Sequence, residues 1–185
     1  CRSLQHRLVR CTELGITAQR ILARSHLSDG IEEFTVTSPL IAAAAQAGQF
    51  VRLLPRSDGE LIPLTLADWD VEAGTICLVV QGVGTSSIEI NAMEVGDAFT
   101  GIAGPLGRPS DIHSYAADET VVFTAGGLGL PPVYPIMREH LRRGNHVTLI
   151  SGFRSADLMF WTGPDERVGR LQAEPGPLLA RERER

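Results

Sequence analysis

Residues 120–125 form a largely apolar run that ends in Gly126, Gly127, Leu128 and Gly129 and opens directly onto a helical stripe. A run of this length fits a strand buried on both faces. Beyond it, Val133, Ile136, Met137, His140 and Leu141 repeat at the i, i+3, i+4, i+7, i+8 spacing of an amphipathic helix. Pro132 suits a first turn, Arg138, Arg142 and Arg143 load the negative end of the helix dipole, and Gly144 suits a C-terminal cap. Residues 147–151 read as the next strand. Strand, crossover helix and strand make one β-α-β unit with parallel strands, within residues 118–161.

The preceding hundred residues or so follow another rule. Short strands are expected at residues 21–27, 31–38, 49–54, 62–67, 75–81 and 97–102, with Ser28, Asp29 and Gly30 as a tight turn. Asp58 with Gly59, and Ala73 with Gly74, supply further turns. Residues 40–47 allow a short helix. Phe34, Val36 and Ser38 share one strand face. Ile76, Leu78 and Val80 alternate with Thr75, Cys77 and Val79, which predicts one face in a core and the other only partly exposed. Many short strands without a long helix between them indicate an antiparallel barrel or sandwich over residues 19–113. Residues 1–18 read as a leader outside this pattern. Residues 162–185, rich in proline, glycine and arginine, lack apolar periodicity and are expected to be disordered.

Charge and cysteine content exclude several functions. A net charge of −5 with scattered arginines offers no basic face for nucleic acid. Cys1, Cys11 and Cys77 contain no C-x-x-C pair, so no metal cluster is expected in this chain, and a reducing cytoplasm fits. Cys77 reads as a small buried hydrophobe. No apolar run approaches the ~20 residues of a membrane helix, and residues 1–10 have no signal-peptide core.

Three glycine segments could carry chemistry. Gly126, Gly127 and Gly129 end a strand and open a helix, where backbone amides can face an anion. The pattern is not G-x-G-x-x-G, because Pro132 takes the third glycine position. Gly82, Val83, Gly84, Thr85, Ser86 and Ser87 follow a barrel strand and could wrap a phosphate with amides and hydroxyls. Gly104, Pro105, Leu106 and Gly107 read only as a rigid turn. The five histidines lack metal-ligand spacing, and His140 on the apolar stripe reads as a packed core residue. Asp68, Trp69 and Asp70 read as a solvated turn rather than as paired catalytic acids.

Taken together and in order, these segments resemble the ferredoxin–NADP reductase superfamily. The similarity is greatest to its electron-transfer-subunit branch, the FAD/NAD-binding subunits of the sulfide dehydrogenase and dihydroorotate dehydrogenase type and the small subunit of NADH-dependent reduced-ferredoxin:NADP oxidoreductase. The residues that carry it are Gly48-Gln49-Phe50-Val51, Ile62-Pro63-Leu64-Thr65-Leu66-Ala67-Asp68, Val83-Gly84-Thr85-Ser86, Gly104-Pro105-Leu106-Gly107 and Gly126-Gly127-Leu128-Gly129-Leu130-Pro131-Pro132. It continues through Gly152-Phe153-Arg154-Ser155 and Asp157-Leu158-Met159-Phe160-Trp161.

The resemblance implies a Greek-key FAD-binding barrel followed by a truncated parallel α/β nicotinamide-binding domain. Pro63, Leu64, Thr65 and Ala67 would lie by the isoalloxazine, with Thr65 near flavin N5. Val83, Gly84, Thr85, Ser86 and Ser87 would hold the FAD pyrophosphate. Gly126, Gly127, Leu128 and Gly129 would face NAD(P)H, with Arg154 beyond the second strand. Such proteins need no protein nucleophile, since hydride passes from nicotinamide to flavin. The implied partner is a larger iron–sulfur/flavin oxidoreductase subunit or a ferredoxin. Leu61 and Ile62 stand where the family commonly carries an arginine, and the cysteine-rich cluster segment is absent. A non-catalytic flavin-binding or assembly module that has lost nicotinamide binding is the alternative.

Overall fold

Strand pairing begins where the alternating pattern does. The computed structural model describes residues 19–163 and 166–168, so the leader and most of the tail lie outside the described residues. Strands β1 (Ile21–Ser28), β2 (Ile31–Thr37), β5 (Asp68–Asp70) and β6 (Thr75–Gln81) form one antiparallel sheet in the order β1-β2-β6-β5. Strands β3 (Phe50–Leu54), β4 (Ile62–Thr65) and β7 (Gly101–Leu106) form a second, ordered β4-β3-β7. The short helix α1 (Pro39–Ala44) follows β2 and buries Ile41 and Ala42. Helix α2 (Thr85–Asn91) follows β6 and buries Ile90.

Between the two sheets lies a core of Phe34, Val36, Val51, Leu53, Leu66, Ile76, Leu78 and Ile90. Phe34, Val36 and Ser38 are all buried, as their alternation predicts. At ~2 kcal/mol for each fully buried large aliphatic or aromatic side chain, this set supplies most of the drive to close the barrel.

The second unit pairs β8 (Thr120–Gly126) with β9 (His146–Gly152) in parallel, from Thr120 opposite His146 to Gly126 opposite Gly152. Helix α3 (Leu130–Arg142) crosses between them and packs on one face of the pair. Its buried stripe is Leu130, Tyr134, Met137 and His140, so the helix starts three residues before the expected first apolar position and Ile136 is only half-buried. The other face of the two strands exposes Val122 and Ile150.

Four expectations need correction. Asp68, Trp69 and Asp70 are not a solvated turn: they pair with β6 as strand β5, and Asp68 is drawn inward by two arginines. The strand expected at residues 97–102 starts at Gly101, because Ala98 makes only an isolated bridge to Arg20 before the chain turns onto β3. Residues 85–91 are helical, a feature the glycine–serine composition conceals. Strand β6 is buried on both faces. Ile76, Leu78 and Val80 face the barrel core, while Cys77 and Val79 join Leu130, Tyr134, Met137, Phe160 and Trp161 in a second core that spans both units.

The start of the supposedly disordered tail is packed as well. Val168 is buried in that second core, and its amide donates to the Trp161 carbonyl at 3.0 Å. Trp161 has φ 63, a left-handed conformation that directs the chain back toward the barrel.

Candidate functional site

Strand β4, strand β6 and the turn into α2 converge on a cavity of about 700 Å³. Ile62, Pro63 and Leu64 form one wall, and Val79, Val80 and Gln81 form another. Val83, Gly84, Thr85, Ser86 and Ser87 close one end, and the β3–β4 hairpin residues Asp58, Gly59 and Glu60 approach from outside. Leu128, from the glycine turn of the second unit, completes the lining. Segments some sixty residues apart in sequence therefore share one surface. The size falls within the range of small-molecule and cofactor sites.

The turn at residues 83–87 is held by its own serine. The Ser87 hydroxyl accepts from the amides of Val83 at 3.0 Å and Gly84 at 2.9 Å, and donates to the Gly84 carbonyl at 2.9 Å. Ser87 thus shapes the loop, while the Thr85 and Ser86 side chains make no hydrogen bond among the described residues. Gly84 has open space where a Cβ would stand, so a ligand can approach its backbone closely.

Two residues expected beside the flavin, Thr65 and Ala67, are not among those that line this cavity. Thr65, at the end of β4 opposite Phe50, is half-buried and does not line the cavity. Ala67 is fully buried in the second core, and its amide donates to the Cys77 carbonyl at 3.0 Å. Its small side chain serves packing between the two units.

Gly126 ends β8, and Gly127, Leu128 and Gly129 make a single 3-10 turn into α3. Gly127 has φ 47, and no atom lies within 4 Å of where its Cβ or that of Gly129 would be. Arg154 follows β9 and is exposed. The glycine turn and Arg154 therefore lie at the carboxyl ends of adjacent parallel strands, where ligands of open α/β sheets bind.

Sequence reasoning missed a charge cluster between the two units. Asp68 on β5 accepts hydrogen bonds from Arg138 of α3 through Oδ1 and from Arg167 through Oδ2. Arg167 also donates to Glu33 Oε1 at 2.9 Å, and Trp161 Nε1 donates to Glu33 Oε2 at 2.8 Å. The Arg138 guanidinium lies 4.9 Å from the Trp69 ring centroid and that of Arg167 lies 5.0 Å from Trp161. Burial pushes the neighbouring Cys77 thiol far up, which keeps it protonated and inert. A cavity of about 530 Å³ opens beside this cluster, but none of the expected cofactor residues lines it. No spacing signal links Glu33, Asp68, Arg138 and Arg167, because only the tertiary fold brings them together.

His140 is a core residue, as expected. Asn145 Nδ2 donates to its Nδ1 at 2.9 Å, and the Tyr115 and Phe123 rings pack within 6.0 Å and 5.6 Å. Among the described residues, no group of three or more His, Cys, Asp or Glu side chains could hold a metal ion, and no helix is long and apolar enough to cross a membrane.

An antiparallel barrel with this cavity in its wall, followed by a parallel β-α-β unit with glycines at the strand end, defines a ferredoxin–NADP reductase-like fold. No protein-family model matches the chain. It is 33% identical over 145 residues to a dihydroorotate dehydrogenase B (NAD(+)) electron transfer subunit homolog of Thermotoga maritima, covering 78% of this chain and 50% of that protein. It is 36% identical over 146 residues to an uncharacterized protein in the adh 3′ region of Clostridium beijerinckii, covering 77% of this chain and 49% of that one. Among solved structures, a chain of NADH-dependent reduced ferredoxin-NADP oxidoreductase superposes with a TM-score of 0.78 at 30% identity, over 89% of this chain and 56% of the other. The chain is thus similar in sequence to electron transfer subunits and has the ferredoxin–NADP reductase-like fold. It spans about half the length of the curated relatives it matches.

Proposed function

We propose that the chain is an FAD-containing module of an oxidoreductase that moves electrons between NAD(P)H and an iron–sulfur partner or ferredoxin. The observation that carries this reading is the convergence of Pro63, Leu64, residues 83–87 and Leu128 on one cavity. The walls and hydroxyls of the lining suit the ring and phosphate hydrogen bonding of FAD, though its charge does not. Pro63, Leu64 and Val79 offer an apolar wall for a flat ring, and the Thr85 and Ser86 hydroxyls, beside the open backbone of Gly84, offer donors for phosphate oxygens. We take residues 19–113 as the flavin-binding barrel and residues 118–161 as the nicotinamide-binding part.

When bound, the flavin would accept hydride from a nicotinamide and release single electrons. The protein's part is to hold and orient both cofactors. Gly126, Gly127 and Gly129 leave room for a dinucleotide backbone at the end of β8, and Arg154 offers it a positive charge at the end of β9. Leu128 touches the flavin cavity and belongs to the nicotinamide turn, so it would separate the two ligands or bring them into register. Thr65, at the end of β4 one residue beyond the Leu64 wall, lies outside the cavity lining and would approach flavin N5 only from its edge. Names among the relatives, an electron transfer subunit and a ferredoxin-NADP oxidoreductase, support a larger iron–sulfur/flavin subunit or a ferredoxin as partner. The buried free thiol of Cys77 suits a reducing cytoplasm.

The test is anaerobic titration of the FAD-loaded chain with NADH and with NADPH. Loss of the flavin's visible absorption with either donor is expected. A chain that keeps its FAD yet is bleached by neither would be the non-catalytic flavin-binding module instead.

A further inference from the structure

The flavin cavity has a charge problem. Its lining carries the carboxylates of Asp58, Glu60 and Glu89, and among the described residues that form it there is no arginine or histidine. Leu61 and Ile62, at the start of β4, bring no charge. The pyrophosphate of FAD is doubly negative, so this wall would repel it unless a cation reaches in from outside the lining.

One arginine is placed to do so. Arg52 lies in the middle of β3, between the buried Val51 and Leu53, and is exposed on the outer face of the sheet. Its cross-strand partner is Pro63, which is also exposed and forms part of the cavity wall. Residues paired in this way have Cβ atoms about 5 Å apart on one face, well within the reach of an arginine side chain. Among the described residues Arg52 makes no hydrogen bond or ion pair, whereas Arg24, Arg138, Arg143 and Arg167 are all engaged. Arg56, the other arginine near the hairpin, is turned toward Asp58 at 3.6 Å.

We propose that Arg52 is the cationic partner of the flavin's phosphate groups, reaching over Pro63 from the neighbouring strand. The inference rests on the reading that this cavity takes FAD. A planar guanidinium can bridge two phosphate oxygens and carries its charge at any working pH. Riboflavin, which lacks phosphate, would gain nothing from it.

The experiment measures equilibrium binding of FAD and of riboflavin to the full chain, for wild type, Arg52→Gln and the double variant Arg52→Gln with Leu61→Arg. Arg52→Gln should weaken FAD about tenfold, equivalent to about 1.4 kcal/mol, while riboflavin affinity stays within about twofold. Wild-type FAD affinity should fall with added salt, and that dependence should be largely lost in the variant. Leu61 is exposed at the start of β4, so Leu61→Arg should restore much of the FAD affinity. Unchanged FAD affinity in Arg52→Gln, or an equal loss for both ligands, would overturn the assignment to Arg52 and leave the flavin reading intact. A wild-type chain that binds neither ligand would sink both.

Discussion

Arg167 and Glu33 lie 134 residues apart in sequence, yet the arginine Nη2 donates to the carboxylate Oε1 at 2.9 Å across the seam between barrel and β-α-β unit. Asp68 takes part in the same seam and is shared by Arg138 and Arg167. Two cations and two carboxylates thus close the joint, with Trp69, Tyr134 and Trp161 beneath the guanidinium groups. Side chains tie the two units together across this seam, and Leu128 of the second unit lines the cavity beside β4.

Removing the shared carboxylate should open this joint. Asp68→Ala leaves two largely buried guanidinium groups short of a partner, which typically costs about 3 kcal/mol or more. Urea unfolding should show the loss as a lower midpoint. Replacing Arg138 and Arg167 by methionine in the same chain should recover part of it. A midpoint unchanged by Asp68→Ala would mean that the cluster does not hold the seam.

Much of this architecture was legible in the sequence, for a simple reason. The β-α-β unit and the alternating strands are set by local periodicity, and Phe34, Val36, Ile76, Leu78 and Val80 face inward as that periodicity dictates. Strand β6 also shows where local reasoning stops. Cys77 and Val79 look like a half-exposed face until a helix from more than fifty residues downstream covers them. The Gly84 segment was readable as an open glycine–serine turn, and it lines a cavity, but helix α2 was not readable, since Ser86 and Ser87 carry weak helix propensity and Ile90 supplies its packing from the barrel core. Asp68 looked like a turn acid because its partners, Arg138 and Arg167, are distant in sequence.

The loop beneath the proposed phosphates depends on one hydroxyl. Ser87→Ala removes the acceptor for two amides and a donor to the Gly84 carbonyl. FAD affinity should drop by about tenfold, at ~1 kcal/mol for a typical lost hydrogen bond and somewhat more for the amides left unpaired. Global stability should change little, because the loop is exposed. Fluorescence titration with FAD and a thermal melt of the same variant test both halves of the statement.

Gly48 has φ +87, and a Cβ there would run into Ser110 Oγ. Gly48→Ala should therefore destabilise the chain by about 2 kcal/mol through backbone strain and the clash together. The double change with Ser110→Gly should relieve the clash but not the strain. Chemical denaturation of the wild type and these two variants separates the contributions.

His140 makes stability depend on pH. Burial, with Arg143 close by, holds its imidazole below the ordinary value, so the unfolded chain binds more protons than the folded one. The stabilisation is complete above the unfolded value of about 6.5 and is lost as pH falls through the folded one. The thermal midpoint of the wild type should fall as pH drops from about 7 to about 5, and His140→Gln should show a shallower decline over the same interval. Parallel curves for the two proteins would remove His140 from the explanation.

If the cavity between β4, β6 and the turn into α2 holds FAD, the full chain retains it in solution. The flavin content of the full chain, after incubation with FAD and removal of free ligand by gel filtration, measures this retention. Near-stoichiometric flavin should travel with the protein, with a visible spectrum shifted from that of free FAD. A folded chain, judged by circular dichroism, that elutes without flavin would contradict it.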